Sequence, residues 1–302
     1  MIKVWLPFDA KLIGGVPEGM RADFFDARGH LPDSADQVEF YVPDYRFDPR
    51  VVEVIPALPA LRVVQTLTAG VDHLRPHVPP GVLLCNARGV HDTSTAELAV
   101  TLTLAALRRI PDFVRDAEHG RWAFGIHESL ADKKVLIVGY GSIGAAVERR
   151  LTGFECEVLR VARSARDGVA ALDALPGLLP KADVVILTVP VTAETTAMVD
   201  ASFLALMHDD ALLVNVARGL VVDTEALVAE VASGRLQAAL DVTEPEPLPA
   251  DHPLWRNPRV LISPHVGGAS SAFWPRAHRL VRDQLRRYAA GEPLLNQIRA
   301  EY

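Results

Sequence analysis

Short apolar runs alternate with amphipathic stretches along most of the chain, and from residue 134 onward the alternation is regular. We expect strands near residues 135–138, 157–161, 184–188, 211–216, 237–242 and 260–263. We expect helices between them, near residues 143–152, 171–179, 201–207 and 224–233. Repeated strand–helix units predict a parallel sheet with helices on both faces. Right-handed crossovers then bring the carboxyl ends of its strands to one edge.

The first part of the chain has a pattern of its own. Apolar runs separated by Pro- and Gly-rich pieces predict strands near residues 4–6, 38–42, 62–67 and 82–85, and so a smaller α/β unit. A stretch over 96–110 is apolar nearly all round, which predicts a helix buried between two domains and disrupted or ended by Pro111. A further helix over 270–291 comes after the sheet is complete, so we expect it to return to the first domain.

These patterns predict an α/β protein of two domains. A doubly wound parallel sheet, of the Rossmann kind, is expected over residues 96–270 as a dinucleotide-binding domain. Residues 1–95 and 271–302 are expected to form a second, smaller, flavodoxin-like α/β domain that is discontinuous in sequence and binds the substrate.

Composition and charge argue against several classes of function. The 302 residues carry a formal net charge of −7 without a strongly basic stretch, which argues against nucleic acid as the main ligand. Two isolated cysteines, Cys85 and Cys156, fit a reducing compartment, and no metal-ligand spacing is visible. The longest apolar stretch, 98–107, is far shorter than a membrane span, and the amino terminus does not read as a signal peptide. We therefore expect a cytoplasmic protein without a bound metal.

The strand expected at 135–138 runs directly into a glycine-rich turn. Gly139, Gly141 and Gly144 have the G-x-G-x-x-G spacing. The first glycine permits a tight turn, the second lets a pyrophosphate approach the backbone, and the third lets the helix pack closely on the strand. The free N–H groups at the start of the helix favour negative charge, so the order strand, turn, helix predicts a dinucleotide site.

Three residues suited to one chemistry follow the last strands of the sheet, at the edge where ligands bind. Arg218 can hold an α-keto carboxylate through fixed bidentate donors, and His265 can give a proton to a carbonyl oxygen as hydride arrives at carbon. A neighbouring carboxylate, Glu244 or Glu246, stabilises a protonated imidazole. Each residue taken alone is ordinary, but their shared edge beside a dinucleotide predicts a site.

Several stretches, in this order, carry a family resemblance. They are residues 139–144, 214–219, 240–247 and 264–268, together with 68–72 and 291–296. The chain resembles the D-isomer-specific 2-hydroxyacid dehydrogenase family over nearly its whole length, in particular its glyoxylate and hydroxypyruvate reductase branch.

The resemblance implies a role for each catalytic position. Arg218 would bind the carboxylate and carbonyl oxygen of the substrate, His265 would be the acid/base, and Glu246 would hold His265. Glu244 also precedes a proline, but the family spacing of five residues after Asp241 favours Glu246. The substrate-binding positions implied are Ala69, Gly70, Val71, Arg218 and His265.

The resemblance also implies a set of dinucleotide contacts, with Asp241 bonded to the nicotinamide carboxamide. Together with the glycine-rich turn and the residues after the second strand, the expected cofactor positions are Gly139, Gly141, Ser142, Ile143, Gly144, Arg163, Ser164, Arg166, Val189, Pro190, Thr195, Val216, Ala217, Arg218, Asp241, His265 and Gly267. An acidic residue usually ends the second strand and binds the adenosine ribose. Here that position is Ala162, followed by arginines and a serine that suit a 2′-phosphate unless they simply face solvent. We therefore predict NADP in preference to NAD, with NAD possible.

These features predict an oxidoreductase that transfers a hydride between NADP(H) and a small 2-oxo or D-2-hydroxy acid, with glyoxylate and hydroxypyruvate as the leading substrates. The family and the buried helix predict a homodimer. Two alternatives stay open. One is an NAD-dependent enzyme like 3-phosphoglycerate dehydrogenase, and the other is a dinucleotide-sensing, corepressor-like binding protein.

Overall fold

The computed structural model describes residues 1–46 and 48–298, which form two compact units. The first unit consists of Met1–His91 and Ser271–Tyr302, and the second of Asp92–Ser270. The strands are β1 (Ile2–Leu6), β2 (Met20–Phe24), β3 (Val38–Tyr41), β4 (Val63–Gln65), β5 (Leu83–Cys85), β6 (Lys134–Val138), β7 (Glu157–Ala162), β8 (Ala170–Ala171), β9 (Val184–Leu187), β10 (Leu212–Asn215), β11 (Gln237–Leu240) and β12 (Val260–Ile262).

The α-helices are α1 (Arg50–Glu53), α2 (Asp92–Leu107), α3 (Ile110–Glu118), α4 (Ser142–Leu151), α5 (Leu175–Leu178), α6 (Ala201–Leu206), α7 (Thr224–Ala232) and α8 (Phe273–Ala289). Single 3₁₀ turns lie at Ala10–Ile13, Ala35–Gln37, Ile55–Ala57, Arg75–His77, Leu172–Ala174, Leu179–Lys181, Gly219–Val221 and Pro253–Arg256. No helix in the described part of the chain has the length and apolar character that crossing a membrane requires.

The first unit is built on a five-stranded parallel sheet in the order β2-β1-β3-β4-β5. This is the flavodoxin-like order. Helix α8 belongs to this unit because its apolar face, including Ala277, Val281 and Leu285, packs in one core with Val4 and Phe40. The smaller domain is therefore discontinuous in sequence.

The second unit contains a seven-stranded parallel sheet in the order β12-β11-β10-β9-β6-β7-β8. Strand order reverses between β6 and β9, as in the Rossmann fold, and ligands of such sheets bind at the carboxyl ends beside that point. The run Val135–Val138 is continuous and apolar because alternate side chains enter the cores on opposite faces of the sheet. The predicted fold class is confirmed.

Three local predictions need correction. The apolar pattern did not predict β2, which lies at an edge of its sheet and carries Arg21 and Asp23. A single helix over 171–179 does not form, because Pro176, Gly177 and Pro180 break this stretch into β8, α5 and single turns.

The third correction concerns the buried helix. Helix α2 begins at Asp92 and already ends at Leu107, and Pro111, expected to disrupt or end it, lies in the first turn of α3. A proline is tolerated there because the N–H groups of a first turn have no partner within the helix. Arg109, with φ +56°, makes the left-handed bend between the two helices.

Candidate active site

The glycine-rich loop between β6 and α4 has three glycines with three different surroundings. Gly139 has φ +102°, and a Cβ there would lie 2.6 Å from the backbone nitrogen of Val189. A Cβ on Gly144 would lie 2.6 Å from the carbonyl oxygen of Gly139. A Cβ on Gly141 would meet nothing within 4 Å. Two glycines thus allow close packing, and the third leaves open space beside the backbone and the start of α4.

Thr188 ties this loop to the neighbouring strand. Its hydroxyl donates to the carbonyl oxygen of Gly139 at 2.6 Å, which joins the carboxyl ends of β6 and β9. These are the strands between which the order reverses. The loop is therefore fixed at the point of the sheet where a dinucleotide binds in this fold.

The carboxyl end of β7 is basic. Ala162 ends the strand, and Arg163, Ser164 and Arg166 follow it with exposed side chains. The backbone N–H and C=O of Arg166 both bond with Val169, at 2.9 and 2.8 Å, across a tight turn. The position that usually carries a ribose-binding carboxylate therefore has none, and two guanidinium groups lie nearby in the chain.

The loop after β9 is shaped by Thr195, which the sequence assigned to the cofactor site. Its side chain is buried, and its hydroxyl donates to the carbonyl oxygen of Pro190 at 2.6 Å. The hydroxyl oxygen of Thr195 in turn accepts from the N–H of Thr192 at 2.8 Å. Thr195 thus holds the conformation of the loop that begins with Val189 and Pro190.

The turn after β10 presents Arg218. Asn215 shapes this turn, since its side chain accepts from the N–H of Ala217 at 3.0 Å and donates to the carbonyl oxygen of Arg218 at 2.9 Å. Val216 and Ala217 are buried, whereas the Arg218 side chain is half-exposed. A guanidinium group is thereby held at the same edge of the sheet as the glycine loop.

Asp241, which follows β11, is buried and organises the segment after β12. Its Oδ1 atom accepts from the Ser263 hydroxyl at 2.6 Å and the Val266 N–H at 2.9 Å. Its Oδ2 atom accepts from the Gly267 N–H at 2.8 Å, and its backbone oxygen accepts from the His265 N–H at 2.8 Å. The carboxylate therefore fixes the segment that carries His265.

His265 and Glu246 contact each other directly. The Nδ1 atom of His265 lies 2.5 Å from Oε1 of Glu246, and His265 has φ +52°, in the left-handed region that non-glycine residues seldom adopt. Glu246 and the alternative carboxylate, Glu244, are both exposed, and it is Glu246 that contacts the His265 ring. Arg218, Glu246 and His265 follow β10, β11 and β12, which are adjacent parallel strands, so all three lie at one sheet edge.

The predicted substrate-binding segment lies in the first unit, after β4. The carbonyl oxygen of Ala69 accepts from the Asn86 side chain at 2.8 Å, and that of Gly70 accepts from the Thr68 hydroxyl at 2.7 Å. The side chain of Val71 is buried. Ala69 and Gly70 are half-buried and are held by bonds to their carbonyl oxygens.

Comparison with known proteins identifies the family. The family model described as "D-isomer specific 2-hydroxyacid dehydrogenase, NAD binding domain" matches residues 100–267. The chain belongs to the D-isomer-specific 2-hydroxyacid dehydrogenase family.

Related proteins extend this match to both units. A glyoxylate reductase of Korarchaeum cryptofilum is 34% identical over 268 residues, which are 84% of this chain and 81% of that protein. The crystal structure of a D-isomer-specific 2-hydroxyacid dehydrogenase from Xanthobacter autotrophicus Py2, in complex with NADPH and MES, is 30% identical, with a TM-score of 0.81 over 98% of this chain and 97% of that one. An NADPH-dependent glyoxylate/hydroxypyruvate reductase from Sinorhizobium meliloti, in complex with NADP and malonate, is 27% identical, with a TM-score of 0.81 over 99% and 97% of the two chains.

This 2-hydroxyacid dehydrogenase is therefore an oxidoreductase that uses a nicotinamide dinucleotide and acts on a small 2-oxo or 2-hydroxy acid. Among residues 1–46 and 48–298, no group of three or more histidine, cysteine, aspartate or glutamate side chains is placed to hold a metal ion.

Sequence reasoning gave no role to several residues that shape this dehydrogenase's site. Thr188 fixes the glycine loop, Asn215 forms the turn of Arg218, and Ser263 bonds to Asp241. Each lies within a stretch already associated with the carboxyl end of a strand. Their side chains are short and polar where a buried strand ends, and this signal is general for residues that shape turns.

Proposed function

We propose that this dehydrogenase reduces a small 2-oxo acid to a D-2-hydroxy acid, with glyoxylate or hydroxypyruvate as substrate and NADPH as the preferred cofactor. NADH is expected to serve less well. The observation that carries the cofactor preference is the end of β7, where Ala162 replaces a carboxylate and Arg163, Ser164 and Arg166 follow it. The relatives named glyoxylate reductase and NADPH-dependent glyoxylate/hydroxypyruvate reductase support the substrate.

The preference has a direct electrostatic reason. A carboxylate at the end of β7 would repel the ribose 2′-phosphate of NADPH. Guanidinium and hydroxyl groups instead donate hydrogen bonds to it, and arginine offers paired donors that match phosphate geometry. The open space at Gly141 and the free amides at the start of α4, including Ser142 and Ile143, would receive the pyrophosphate.

When bound, the nicotinamide supplies or accepts the hydride. Donation from Nδ1 of His265 to Glu246 would leave Nε2 to hold the proton that passes to the carbonyl oxygen. The Glu246 carboxylate stabilises the protonated ring and fixes its orientation. Arg218 would bind the carboxylate and polarise the carbonyl through fixed donors.

The remaining assignments follow the resemblance and the local geometry. Asp241 accepts three hydrogen bonds, which leaves its carboxylate one further site for a nicotinamide carboxamide. The backbone amides near Gly70 and Val71 would bind the substrate carboxylate, so the first unit is proposed to be the substrate-binding domain. The other proposed cofactor contacts are Val189, Pro190, Thr195, Val216, Ala217 and Gly267.

Absorbance at 340 nm tests the proposal. Purified protein is assayed with NADPH and with NADH on glyoxylate, hydroxypyruvate, pyruvate, phenylpyruvate and 3-phosphohydroxypyruvate. We expect the highest kcat/KM with NADPH and one of the first two acids. A higher kcat/KM with NADH would contradict the cofactor preference alone. A preference for 3-phosphohydroxypyruvate would favour the phosphoglycerate dehydrogenase alternative, and dinucleotide binding without turnover would favour a sensing protein.

We further propose that the protein is a homodimer that buries the segment after α3. This segment exposes three large apolar side chains, Trp122, Phe124 and Ile126, at 96%, 90% and 97% of their surface. A cavity of about 480 Å³ lies against it, lined in part by α3. Apolar exposure of this extent in one short segment is typical of an interface.

Sedimentation velocity measures the oligomeric state directly. We expect a dimer for the wild-type protein and a monomer for the triple substitution of Trp122, Phe124 and Ile126 by serine. A monomeric wild-type protein, or a dimer that survives the triple substitution, would contradict this interface.

A further inference from the structure

Tyr140 is the second residue of the glycine-rich loop. Its side chain is not required for a loop that binds pyrophosphate. The phosphate-binding features of the loop are its glycines and backbone amides, which any residue at this position would leave intact. The Tyr140 ring nevertheless makes specific contacts with α4, β7 and the basic turn after β7. These contacts connect the loop to the proposed site for the 2′-phosphate.

One set of contacts fixes the ring. The Tyr140 hydroxyl donates to the Glu148 carboxylate on α4. The Nε atom of Arg160 on β7 donates to both oxygens of that carboxylate at 2.9 Å, and its Nη2 atom bonds to Oε1. The guanidinium carbon of Arg160 also lies 5.9 Å from the centre of the Tyr140 ring. The ring is thus held at its hydroxyl, and its surface is open to a second cation.

Arg166 supplies that second cation. Its guanidinium carbon lies 5.7 Å from the centre of the Tyr140 ring, and its Nη2 atom donates to the carbonyl oxygen of Tyr140. The backbone of Arg166 is pinned by its two bonds with Val169. An exposed arginine ordinarily samples many rotamers, and fixing it costs conformational entropy when it binds a ligand. Here the Tyr140 ring and carbonyl oxygen restrict the Arg166 side chain before any ligand binds.

The same network also pairs a carboxylate on α4. Arg160 and Tyr140 bind the Glu148 carboxylate on α4, and their hydrogen bonds keep its pKa below the usual range. The ion pair neutralises a carboxylate that would otherwise repel a phosphate and attract Arg166 to itself. Arg166 is therefore left to bond to the loop.

We propose that Tyr140 is a specificity-determining positioning residue, whose ring holds the Arg166 guanidinium ready for the ribose 2′-phosphate of NADPH. This inference rests on the proposed NADPH preference. It goes further because it assigns the preference to a side chain within the glycine-rich loop, where only the backbone is usually considered. Tyr140 acts through Arg166 and is not expected to contact the phosphate.

The affinities of two small probes for the protein measure how much Tyr140 contributes to binding of the 2′-phosphate. Adenosine 2′,5′-bisphosphate and adenosine 5′-monophosphate differ only in the 2′-phosphate, and calorimetry gives the ratio of their affinities. We expect Tyr140→Leu to lower this ratio about fivefold, the scale of one exposed cation–π contact, and Tyr140→Phe to change it less than about twofold. Arg166→Ala should lower it at least about tenfold, the scale of a charge-assisted hydrogen bond. Thermal unfolding checks that each variant is folded. Tyr140→Phe retains the aromatic ring and is the variant to compare if Tyr140→Leu does not fold.

A double substitution decides whether Tyr140 acts through Arg166. In the Arg166→Ala background, Tyr140→Leu should not lower the ratio further. The matched control is Arg149→Ala, an exposed arginine on α4, which removes the same charge and should leave the ratio unchanged. Tyr140→Leu and Arg166→Ala should raise the KM for NADPH more than the KM for NADH, and Arg149→Ala should change neither.

The possible failures are distinct. Equal loss of affinity for both probes in Tyr140→Leu would mean that the ring supports the loop in general, and would overturn the inference. A lower affinity ratio in the Arg166→Ala, Tyr140→Leu double variant than in Arg166→Ala alone would also overturn the inference. So would an affinity ratio that Arg166→Ala lowers but Tyr140→Leu leaves unchanged. A wild-type protein that binds both probes equally would overturn the NADPH preference itself and, with it, this role of Tyr140.

Discussion

The Nδ1 atom of His265 lies 2.5 Å from a carboxylate oxygen of Glu246, across the carboxyl ends of two adjacent strands. A carboxylate in this position selects one tautomer of the ring and stabilises its protonated form, as an acid/base residue requires. Glu244, two residues earlier, is exposed like Glu246. The two glutamates therefore form a natural comparison.

Glu246→Gln should lower kcat about 100-fold, because an amide fails to stabilise the imidazolium that forms and decays in each turnover. Glu244→Gln should leave kcat within about twofold. Steady-state kinetics at saturating glyoxylate and cofactor measures both. Equal losses in the two variants would show that the contact with His265 has no special part in catalysis.

Arg218→Lys separates positive charge from donor geometry. A lysine keeps the charge but lacks the planar pair of donors, so we expect kcat/KM to fall about 10- to 100-fold, the scale of one charge-assisted hydrogen bond. Initial rates at low substrate give this ratio. A lysine variant with wild-type kcat/KM would show that charge alone is sufficient at this position.

The glycine loop predicts opposite results for two similar substitutions. Gly139→Ala should destabilise the protein by roughly 2–4 kcal/mol, because Gly139 has φ +102° and the added Cβ would lie 2.6 Å from the Val189 nitrogen. Gly141→Ala has open space and should fold normally, but its methyl group would occupy the space proposed for the pyrophosphate. Urea unfolding and cofactor titration measure the two effects. If both variants bound the cofactor as tightly as the wild type, this result would contradict the proposed site.

How far the sequence predicts this fold depends on burial. The inner strands β6, β9, β10 and β11 of the large sheet are almost entirely buried, so their continuous apolar runs are visible in the sequence. Strand β2 lies at an edge and carries charged residues, and β8 has only two residues, so neither gives such a signal. Proline positions explain the helix errors, since Pro111 begins a helix and Pro176 and Pro180 interrupt one.

The candidate site shows a similar division. Glycine spacing and the order of Arg218, Glu246 and His265 are local features that one sequence displays. The contacts of Tyr140 with Glu148, Arg160 and Arg166 join residues 8 to 26 positions apart on different elements. The hydrophobic periodicity of the sequence does not predict such contacts, because they depend on which strands are neighbours in the sheet.

Asp241→Asn should destabilise the segment that carries His265. The carboxylate accepts from two N–H groups and one hydroxyl, and an amide must present its NH₂ to at least one of these donors. We expect a loss of about 1–3 kcal/mol in the free energy of unfolding, together with lower activity. Asp251→Asn, at an exposed position, is the control and should change neither. An Asp241→Asn protein with unchanged stability would contradict the role of these hydrogen bonds.

His278, in the first unit, should make stability depend on pH. Its ring packs against Phe8 and Trp274, with ring centres 4.6 and 5.3 Å away, and burial lowers the pKa of His278 below its ordinary value of 6.5. Below pH 6.5 the unfolded chain therefore binds a proton more readily than the folded protein, so this residue reduces stability as the pH falls. His278→Phe keeps an aromatic ring and removes the titration. Urea unfolding at pH 7.5 and 5.5 should show a smaller loss of stability for this variant than for the wild type, while the exposed His30→Gln should behave as the wild type. Equal losses in all three proteins would mean that protonation of His278 does not affect folding.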